Sequence, residues 1–195
     1  MKIQQNRSQS RQQWLKKPML CSTYRKWLID NGSLTASLKA RYADFAVRPV
    51  LLKNAKSFVD ESMLLGLKAN QHALIREVVL MGNNQPVVFA HSVLPHASLR
   101  GAWRGLGKLG NKPLGAALFA NPKVKRTPLE YKKLPRQHPI SMRVTGLPSN
   151  DLVGGHMSMA PKRLWARRSI FSLNNAKILV TEVFLEHLLT PVIPA

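Results

Sequence analysis

Two opposite charges interrupt apolar stretches that are far apart in the sequence. Arg76 lies within residues 73–80, and Glu182 lies within residues 177–185. Side chains alternate between the two faces of a β-strand, so each charge shares its face with apolar neighbours. A lone buried charge is costly and needs a partner or a ligand. The pattern predicts either a structural ion pair between Arg76 and Glu182 or a small anionic ligand held between a sheet and a lid.

Both charged residues belong to predicted β-hairpins. Residues 73–80 and 86–94 flank a turn at 82–85, and residues 165–173 and 177–185 flank Asn174-Asn175. Asparagine tolerates the positive φ of tight hairpin turns. Two further basic residues, Arg167 and Arg168, lie in the second hairpin, and alternation allows only one of them to face the interior beside a ligand. Which of the two does so is left open.

The remaining elements make this an α+β protein. Residues 45–52 predict a strand with an edge or bulge at Pro49. Apolar spacing after Pro18 predicts a helix that ends near Gly32, and Ser33 can cap a second helix as far as residue 42. Residues 99–109 predict a short helix closed by Gly110. Helices combined with antiparallel hairpins favour one domain built on an antiparallel sheet.

The domain boundaries follow from changes in composition. Residues 1–12 are polar and predict a flexible basic N-terminus, and residues 13–190 form the domain. Within it, residues 120–163 hold six prolines, a Gly-Gly pair and many basic residues. A long loop without elements of its own is unusual in a compact domain. We therefore expect an insertion at about 120–163 that is a mobile lid or partly disordered.

The bulk composition restricts the class of protein. A hydrophobic content of 45% excludes a disordered chain, and one cysteine, Cys21, excludes an internal disulfide and favours a reducing compartment. No apolar run reaches the roughly 20 residues of a transmembrane helix, and no signal peptide is visible. The histidines show no metal-ligand spacing, so we expect surface or satisfied histidines. These patterns predict a cytoplasmic protein without a metal or a transmembrane segment.

The strongly basic charge raises the question of nucleic acid. The chain has 30 Lys and Arg against 9 Asp and Glu, a formal net charge of +21. Such a charge favours anionic partners. However, the basic residues are spread along the chain, and no zinc-finger, RNA-recognition or clear helix-turn-helix signature occurs. We expect no specific nucleic-acid partner.

Five segments resemble chorismate pyruvate-lyase, the chorismate lyase family of ubiquinone biosynthesis. In order they are Ile75–Val78, Gln85–Pro95, Leu109–Phe119, Leu164–Ser169 and Thr181–Leu185. The resemblance covers roughly residues 27–120 and 164–186, and residues 120–163 have no counterpart in it. The order and the gaps between the segments make the set specific, although each segment alone is weak.

The resemblance implies a fold, an activity and a set of site residues. It implies about six antiparallel strands with helices over an enclosed ligand site. It implies a cofactor-independent lyase that removes pyruvate from chorismate and leaves 4-hydroxybenzoate, and we expect a monomer. Arg76 and Glu182 correspond to the catalytic residues of the family, and both also bind substrate. Leu114 corresponds to a backbone donor to the ligand, and Leu34 stands near a ligand-contacting methionine.

Two other functions compete with a lyase. Effector domains of some transcription regulators resemble the same fold, so the chain could be a small-molecule-binding domain without catalysis. The charge also keeps a basic nucleic-acid-binding protein as an alternative. Release of 4-hydroxybenzoate from chorismate distinguishes the lyase from both.

Overall fold

The computed structural model describes residues 13–147 and 163–191. Within these ranges the chain forms seven antiparallel strands: β1 (Phe45–Lys56), β2 (His72–Gly82), β3 (Gln85–Pro95), β4 (Lys125–Arg126), β5 (Glu130–Pro135), β6 (Arg163–Leu173) and β7 (Ala176–Phe184). Their order in the sheet is β1-β2-β3-β7-β6-β4, and β5 also pairs with β6. The predicted α+β class is confirmed.

The sheet has seven strands, not the six expected, because one edge is divided. β4 pairs with Phe171 and Ser172, and β5 pairs with residues 163–168 of the same strand. The two short strands therefore lie in line along β6. Pro128 lies between them and has no N–H to continue a ladder, which is consistent with the interruption.

Asparagine turns close both predicted hairpins. Asn83 and Asn84 join β2 to β3 with φ values of 48° and 60°, and Asn174 and Asn175 join β6 to β7 with 48° and 64°. Positive φ at both central residues matches the right-handed twist of the strands. The expected irregularity in β1 is also present, since the β1–β2 register shifts between Pro49 and Leu51.

Six α-helices occur in the described ranges: α1 (Arg25–Ile29), α2 (Leu34–Arg41), α3 (Val59–Leu65), α4 (His96–Arg100), α5 (Leu114–Phe119) and α6 (Pro139–Thr145). Ser33 caps α2 as predicted, because its hydroxyl accepts a hydrogen bond from the Ala36 N–H at 3.4 Å. None of the helices in the described ranges is long and apolar enough to cross a bilayer.

The predicted helix over residues 99–109 is wrong in its bounds. The α-helix ends at Arg100, and only a short 3-10 turn forms at Leu106–Lys108. Glycines at 101, 105 and 107 explain the break, since glycine disfavours a helix interior. Gly105 adopts a φ of 97°, which a helix cannot contain.

The expectation that residues 120–163 lack structure of their own is wrong for residues 120–147. They supply β4, β5 and α6, with Tyr131, Leu134, Ile140 and Val144 buried in the core. Alternation in β5 and a Pro-initiated helix account for this packing, with Pro139 at the first turn of α6. The prolines thus separate short elements and do not abolish them. Residues 148–162, like residues 1–12, lie outside the described part.

The two faces of the sheet carry separate cores. Side chains from α1, α2 and α5 pack on the first face, against even-numbered residues of β2 such as Val78 and Leu80. Side chains from α3 and α6 pack on the second face, against odd-numbered residues of β2 such as Ile75 and Val79. Cys21 is buried in the first core.

Candidate active site

One pocket on the first face brings all four predicted site residues together. Arg76 and Glu182 line it from the sheet, and Leu34 and Leu114 line it from α2 and α5. The rest of the lining is mainly apolar, with Val78 typical of it. A lining of this kind suits a small, largely apolar ligand that carries a few polar groups.

Arg76 is a buried cation that pairs with no carboxylate in the described residues. Its side chain is only 4% exposed. Its Nη2 donates to the carbonyl oxygens of Gly110 at 3.0 Å and Lys112 at 2.9 Å, in the loop that leads into α5. Burial lowers the pKa of the guanidinium. Neutral carbonyls leave the positive charge uncompensated, so the site can accept an anion.

Glu182 pairs with Arg167 and not with Arg76, so the alternative of an Arg76–Glu182 ion pair is wrong. Arg167 Nε lies 2.6 Å from Glu182 Oε2, and the Arg167 side chain is fully buried. Arg167 Nη1 also donates to the carbonyl oxygens of Trp27 at 2.7 Å and Asp30 at 2.6 Å. These bonds fix the carboxylate relative to the turn that precedes α2.

The Arg167–Glu182 pair was not predicted, although the sequence contains a signal for it. The two residues lie opposite each other in the β6–β7 register. Counting outward from the two-residue turn at Asn174-Asn175 places them in register, because this hairpin contains no bulge. Directly opposed residues have side chains on the same face and within contact distance.

Arg168 occupies the second face, which settles the open choice between the two arginines. It lies 2.7 Å from Asp60 Oδ2 through Nη1 and 2.9 Å from Glu130 Oε2 through Nε. Arg167 is the inward residue; its Nε and Nη1 have protein partners, and its Nη2, which has none in the described residues, is fully buried. Neither arginine therefore presents a free bidentate fork to a ligand.

The two covering helices approach each other closely over the pocket. Leu114 is the first residue of α5, where helix geometry leaves the backbone N–H without an intrahelical acceptor. Gly115 follows it, and a Cβ at that position would lie 3.1 Å from Thr35 Oγ1 of α2. A glycine there allows the start of α5 to pack on α2 with the Leu114 amide at the pocket.

A buried polar cluster on the second face was not predicted. His91 contacts Glu77 Oε1 through Nδ1 at 3.0 Å and Glu61 Oε1 through Nε2 at 3.2 Å. Burial opposes the charged ring, but hydrogen bonding and the negative charges of Glu61 and Glu77 outweigh it and raise the pKa of His91 to about 9. The surface alternative is wrong for His91, which is buried. Its Nδ1 is hydrogen-bonded to Glu77, whereas its Nε2 lies at ion-pair distance from Glu61 without a hydrogen bond in the described residues.

No group of three or more His, Cys, Asp or Glu side chains in the described ranges is arranged to hold a metal ion. The three side chains of the His91 cluster instead contact one another. Glu77 and His91 directly follow and precede Arg76 and Ser92 in their strands, and neighbouring residues of a strand point to opposite faces. The cluster therefore lies on the face of the sheet opposite the pocket. This cluster links α3 to the sheet.

Comparison with known sequences identifies close relatives. A family model described as Chorismate lyase matches residues 8–193. The probable chorismate pyruvate-lyase of Thiobacillus denitrificans is 46% identical over 169 residues, which are 87% of this chain and 86% of the relative. The probable chorismate pyruvate-lyase of Methylobacillus flagellatus is 42% identical over 179 residues, 92% of this chain and 96% of the relative.

Comparison with solved structures shows a shared fold with transcription regulators. PhnF from Mycobacterium smegmatis aligns with a TM-score of 0.52 and 13% identity, over 83% of this chain and 67% of PhnF. The C-terminal domain of a histidine utilization repressor from Pseudomonas syringae aligns with a TM-score of 0.51 and 9% identity, over 78% of this chain and 98% of that domain. At these identities the likeness concerns the fold alone.

Proposed function

This chain belongs to the chorismate lyase family, and on that premise we propose that the pocket of Arg76, Leu114 and Glu182 is where it removes pyruvate from chorismate. The product that remains is 4-hydroxybenzoate. The observation that carries the assignment is a buried arginine without a carboxylate partner in the described residues, in one pocket with a helix-terminal amide and an oriented glutamate.

Arg76 and Leu114 bind the ring carboxylate in this proposal. A guanidinium forms charge-assisted hydrogen bonds to a carboxylate, and these are stronger than bonds between neutral groups. The Leu114 N–H supplies a further donor at the start of α5. Arg76 is tied to the loop before α5 through Gly110 and Lys112, so the two donors are held together. Leu34 contributes apolar contact to the ring.

Glu182 accepts a hydrogen bond from the ring hydroxyl. Arg167 binds its Oε2, and no described residue donates to its Oε1, which leaves that oxygen for the ligand. A carboxylate oxygen is an acceptor and can take such a bond from a hydroxyl. An ionised carboxylate here can also take part in proton transfer from the ring carbon that bears this hydroxyl.

The reaction needs orientation more than a strong reagent. The ring carbon that bears the hydroxyl loses its hydrogen as a proton, and the electron pair forms a ring double bond as the neighbouring C–O bond to enolpyruvate breaks. Enolpyruvate takes up a proton at its methylene carbon and becomes pyruvate. The ring becomes aromatic, so the protein has to bind, orient and polarise the substrate.

Further properties belong to the same proposal. The activity requires neither a metal nor an organic cofactor, and it is the first committed step of ubiquinone biosynthesis. The protein acts as a monomer in the cytoplasm. The family membership and the chemistry of the pocket support this reading. A non-catalytic binding domain remains the competing function, because effector domains of regulators have the same fold.

The deciding experiment measures both products from purified protein and chorismate, by chromatography with ultraviolet detection. The proposal expects equal amounts of 4-hydroxybenzoate and pyruvate. It also expects Arg76→Gln to lose at least tenfold in kcat/KM, since a hydrogen bond to a charged group contributes about 1.5–3 kcal/mol. Arg104→Gln removes an exposed charge and is the matched control. Binding of 4-hydroxybenzoate without turnover would instead indicate the non-catalytic domain.

A further inference from the structure

The proposed function leaves one charge of the substrate without a partner. Chorismate carries a ring carboxylate and a second carboxylate on its enolpyruvyl group. Arg76 is assigned to the first. Arg167 binds Glu182 and backbone carbonyls through Nε and Nη1. Its Nη2 has no partner in the described residues, but the side chain is fully buried and is not part of the described pocket lining. Arg168 lies on the other face of the sheet. A second anion site has to come from another part of the pocket.

Arg126 packs against two residues that line the same pocket, Phe119 and Phe171. It is in β4, opposite Phe171, and opposed residues share a face of the sheet. Its Cζ is 5.1 Å from the ring centroid of Phe171 and 5.5 Å from that of Phe119. Both rings line the pocket. The guanidinium is therefore held against the aromatic wall between β6 and the end of α5.

Two hydrogen bonds fix the direction of this guanidinium. Arg126 Nε donates to Ser169 Oγ at 2.8 Å, and Nη1 donates to the Asn31 carbonyl oxygen at 3.0 Å. In the described residues no acceptor bonds Nη2, and no carboxylate lies within ion-pair distance of Arg126. A half-buried cation held by neutral acceptors retains the capacity to bind an anion.

Hydrogen bonds place Arg126 on the Glu182 side of the pocket. Arg126 donates to the Asn31 carbonyl oxygen, and Arg167 donates to the neighbouring Asp30 carbonyl oxygen while it holds Glu182. Burial lowers the pKa of Arg126, and the charge of Glu182 acts against this larger effect by raising it. Glu182 is assigned to the ring hydroxyl. The enolpyruvyl ether is on the adjacent ring carbon, which brings the second carboxylate to the same end of the pocket.

We propose that Arg126 binds the enolpyruvyl carboxylate of chorismate. This inference rests on the proposed function and adds to it a residue that holds substrate but not product. The carboxylate that Arg126 binds departs with pyruvate, whereas 4-hydroxybenzoate keeps only the groups bound by Arg76, Leu114 and Glu182. Arg126 also holds the leaving group in one orientation while the C–O bond breaks.

The test compares substrate turnover with product binding in Arg126→Gln. We expect kcat/KM for chorismate to fall at least tenfold, while the Kd for 4-hydroxybenzoate, measured by calorimetry, changes less than twofold. Arg126→Lys should recover part of kcat/KM, because it keeps the charge but loses the planar fork. Lys125→Gln is the matched control, since it removes the same charge from an exposed neighbour and should leave both quantities unchanged.

The outcomes distinguish failure of the Arg126 assignment from failure of the proposed function. Equal losses in kcat/KM and in product affinity would overturn the assignment and make Arg126 a structural residue beside the pocket. Unchanged kcat/KM in an active protein would overturn it as well, while leaving the lyase function in place. Wild-type protein that binds 4-hydroxybenzoate but releases none from chorismate would reject the proposed function, and the assignment of Arg126 with it.

Discussion

The ion pair between Arg167 and Glu182 determines what the pocket can do to a hydroxyl group. A buried ion pair contributes little net stability on average, but removing one partner is costly because the other charge stays buried. Arg167 is fully buried, whereas Glu182 is partly exposed at the pocket, with 16% of its side chain accessible. The arginine is thus the fixed half of the pair, and the glutamate is the half that can contact a ligand.

The first prediction at this scale concerns Glu182→Gln. The amide keeps the shape of the side chain but loses the negative charge, so it polarises the ring hydroxyl less and cannot take a proton. We expect kcat to fall more than the affinity for 4-hydroxybenzoate, which marks an interaction that strengthens in the transition state. The measurement is steady-state kinetics together with product titration.

Glu186→Gln supplies the control, because this exposed glutamate lies four residues further along the chain and outside the pocket lining. It should leave both parameters unchanged. If Glu182→Gln reduces turnover and product affinity by the same factor, Glu182 contributes to binding only. If neither changes, the residue is not part of the active site.

At the scale of elements, the first face of the sheet carries the candidate pocket and the second face carries the His91 cluster. α2 and α5 cover the first face over Arg76 and Glu182. On the second face, α3 is tied to β2 and β3 through Glu61 and His91. The Glu61 side chain also accepts a hydrogen bond from the Phe58 N–H at 3.0 Å, at the start of α3. This cluster therefore fixes the helix on the face opposite the ligand.

The second prediction is a dependence of stability on pH that originates in this cluster. The pKa of His91 is raised to about 9 in the folded protein, against about 6.5 in an unfolded chain. The stabilisation is therefore complete below about pH 6.5 and is lost as the pH rises through about 9. At about 1.4 kcal/mol per pKa unit, the loss is on the order of 3 kcal/mol.

Urea unfolding at several pH values between about 6 and 10 measures this effect. His91→Gln should be less stable at neutral pH and should lose most of the slope across the window. Exposed His72→Gln should keep the wild-type slope. His138 has the opposite pH dependence. Burial lowers its pKa to about 4, so its contribution to stability is lost as the pH falls below about 6.5 and is constant at higher pH. A wild-type slope in His91→Gln would contradict the prediction.

At the scale of the whole molecule, the net charge of +21 surrounds the protein with a positive field. The positive field attracts anions from a distance and accelerates their encounter with the protein. It does so for a dianionic metabolite and for nucleic acid alike. In the proposed function, specificity comes from the pocket, where a few oriented donors act at short range.

The third prediction separates this general attraction from specific binding. Fluorescence polarisation with two unrelated DNA duplexes of equal length should give the same affinity for both. Raising the salt from about 50 to 200 mM should weaken binding steeply, because the release of counterions supplies most of the free energy. Selective binding that persists at physiological salt would contradict this prediction and favour a nucleic-acid function.

Much of the candidate site could be predicted from local patterns. Strand alternation places Arg76 and Glu182 on defined faces, and the asparagine turns locate both hairpins. Ser33 marks the start of α2. The resemblance added Leu114 and Leu34, whose roles local patterns do not reveal. The faces, turns and cap depend on neighbours a few residues apart, so the sequence alone determines them.

Other features depended on pairings between distant segments. Counting outward from the Asn83-Asn84 turn would place Arg76 opposite His91, but a shift between Leu80 and Met81 pairs Arg76 with Ser92. Such bulges depend on how a strand fits the whole sheet. The position of the shift was therefore not visible in the local pattern.

The contents of the proline-rich segment were also decided by tertiary structure. Its strands β4 and β5 are stable only as partners of β6, which follows them by about 30 residues in the chain. Short strands gain their hydrogen bonds and burial from the neighbouring strand, so their own sequence predicts them poorly. The same pairing places Arg126 beside Phe171, which lines the pocket. Sequence thus determined the faces and turns, and long-range pairing determined which charges meet.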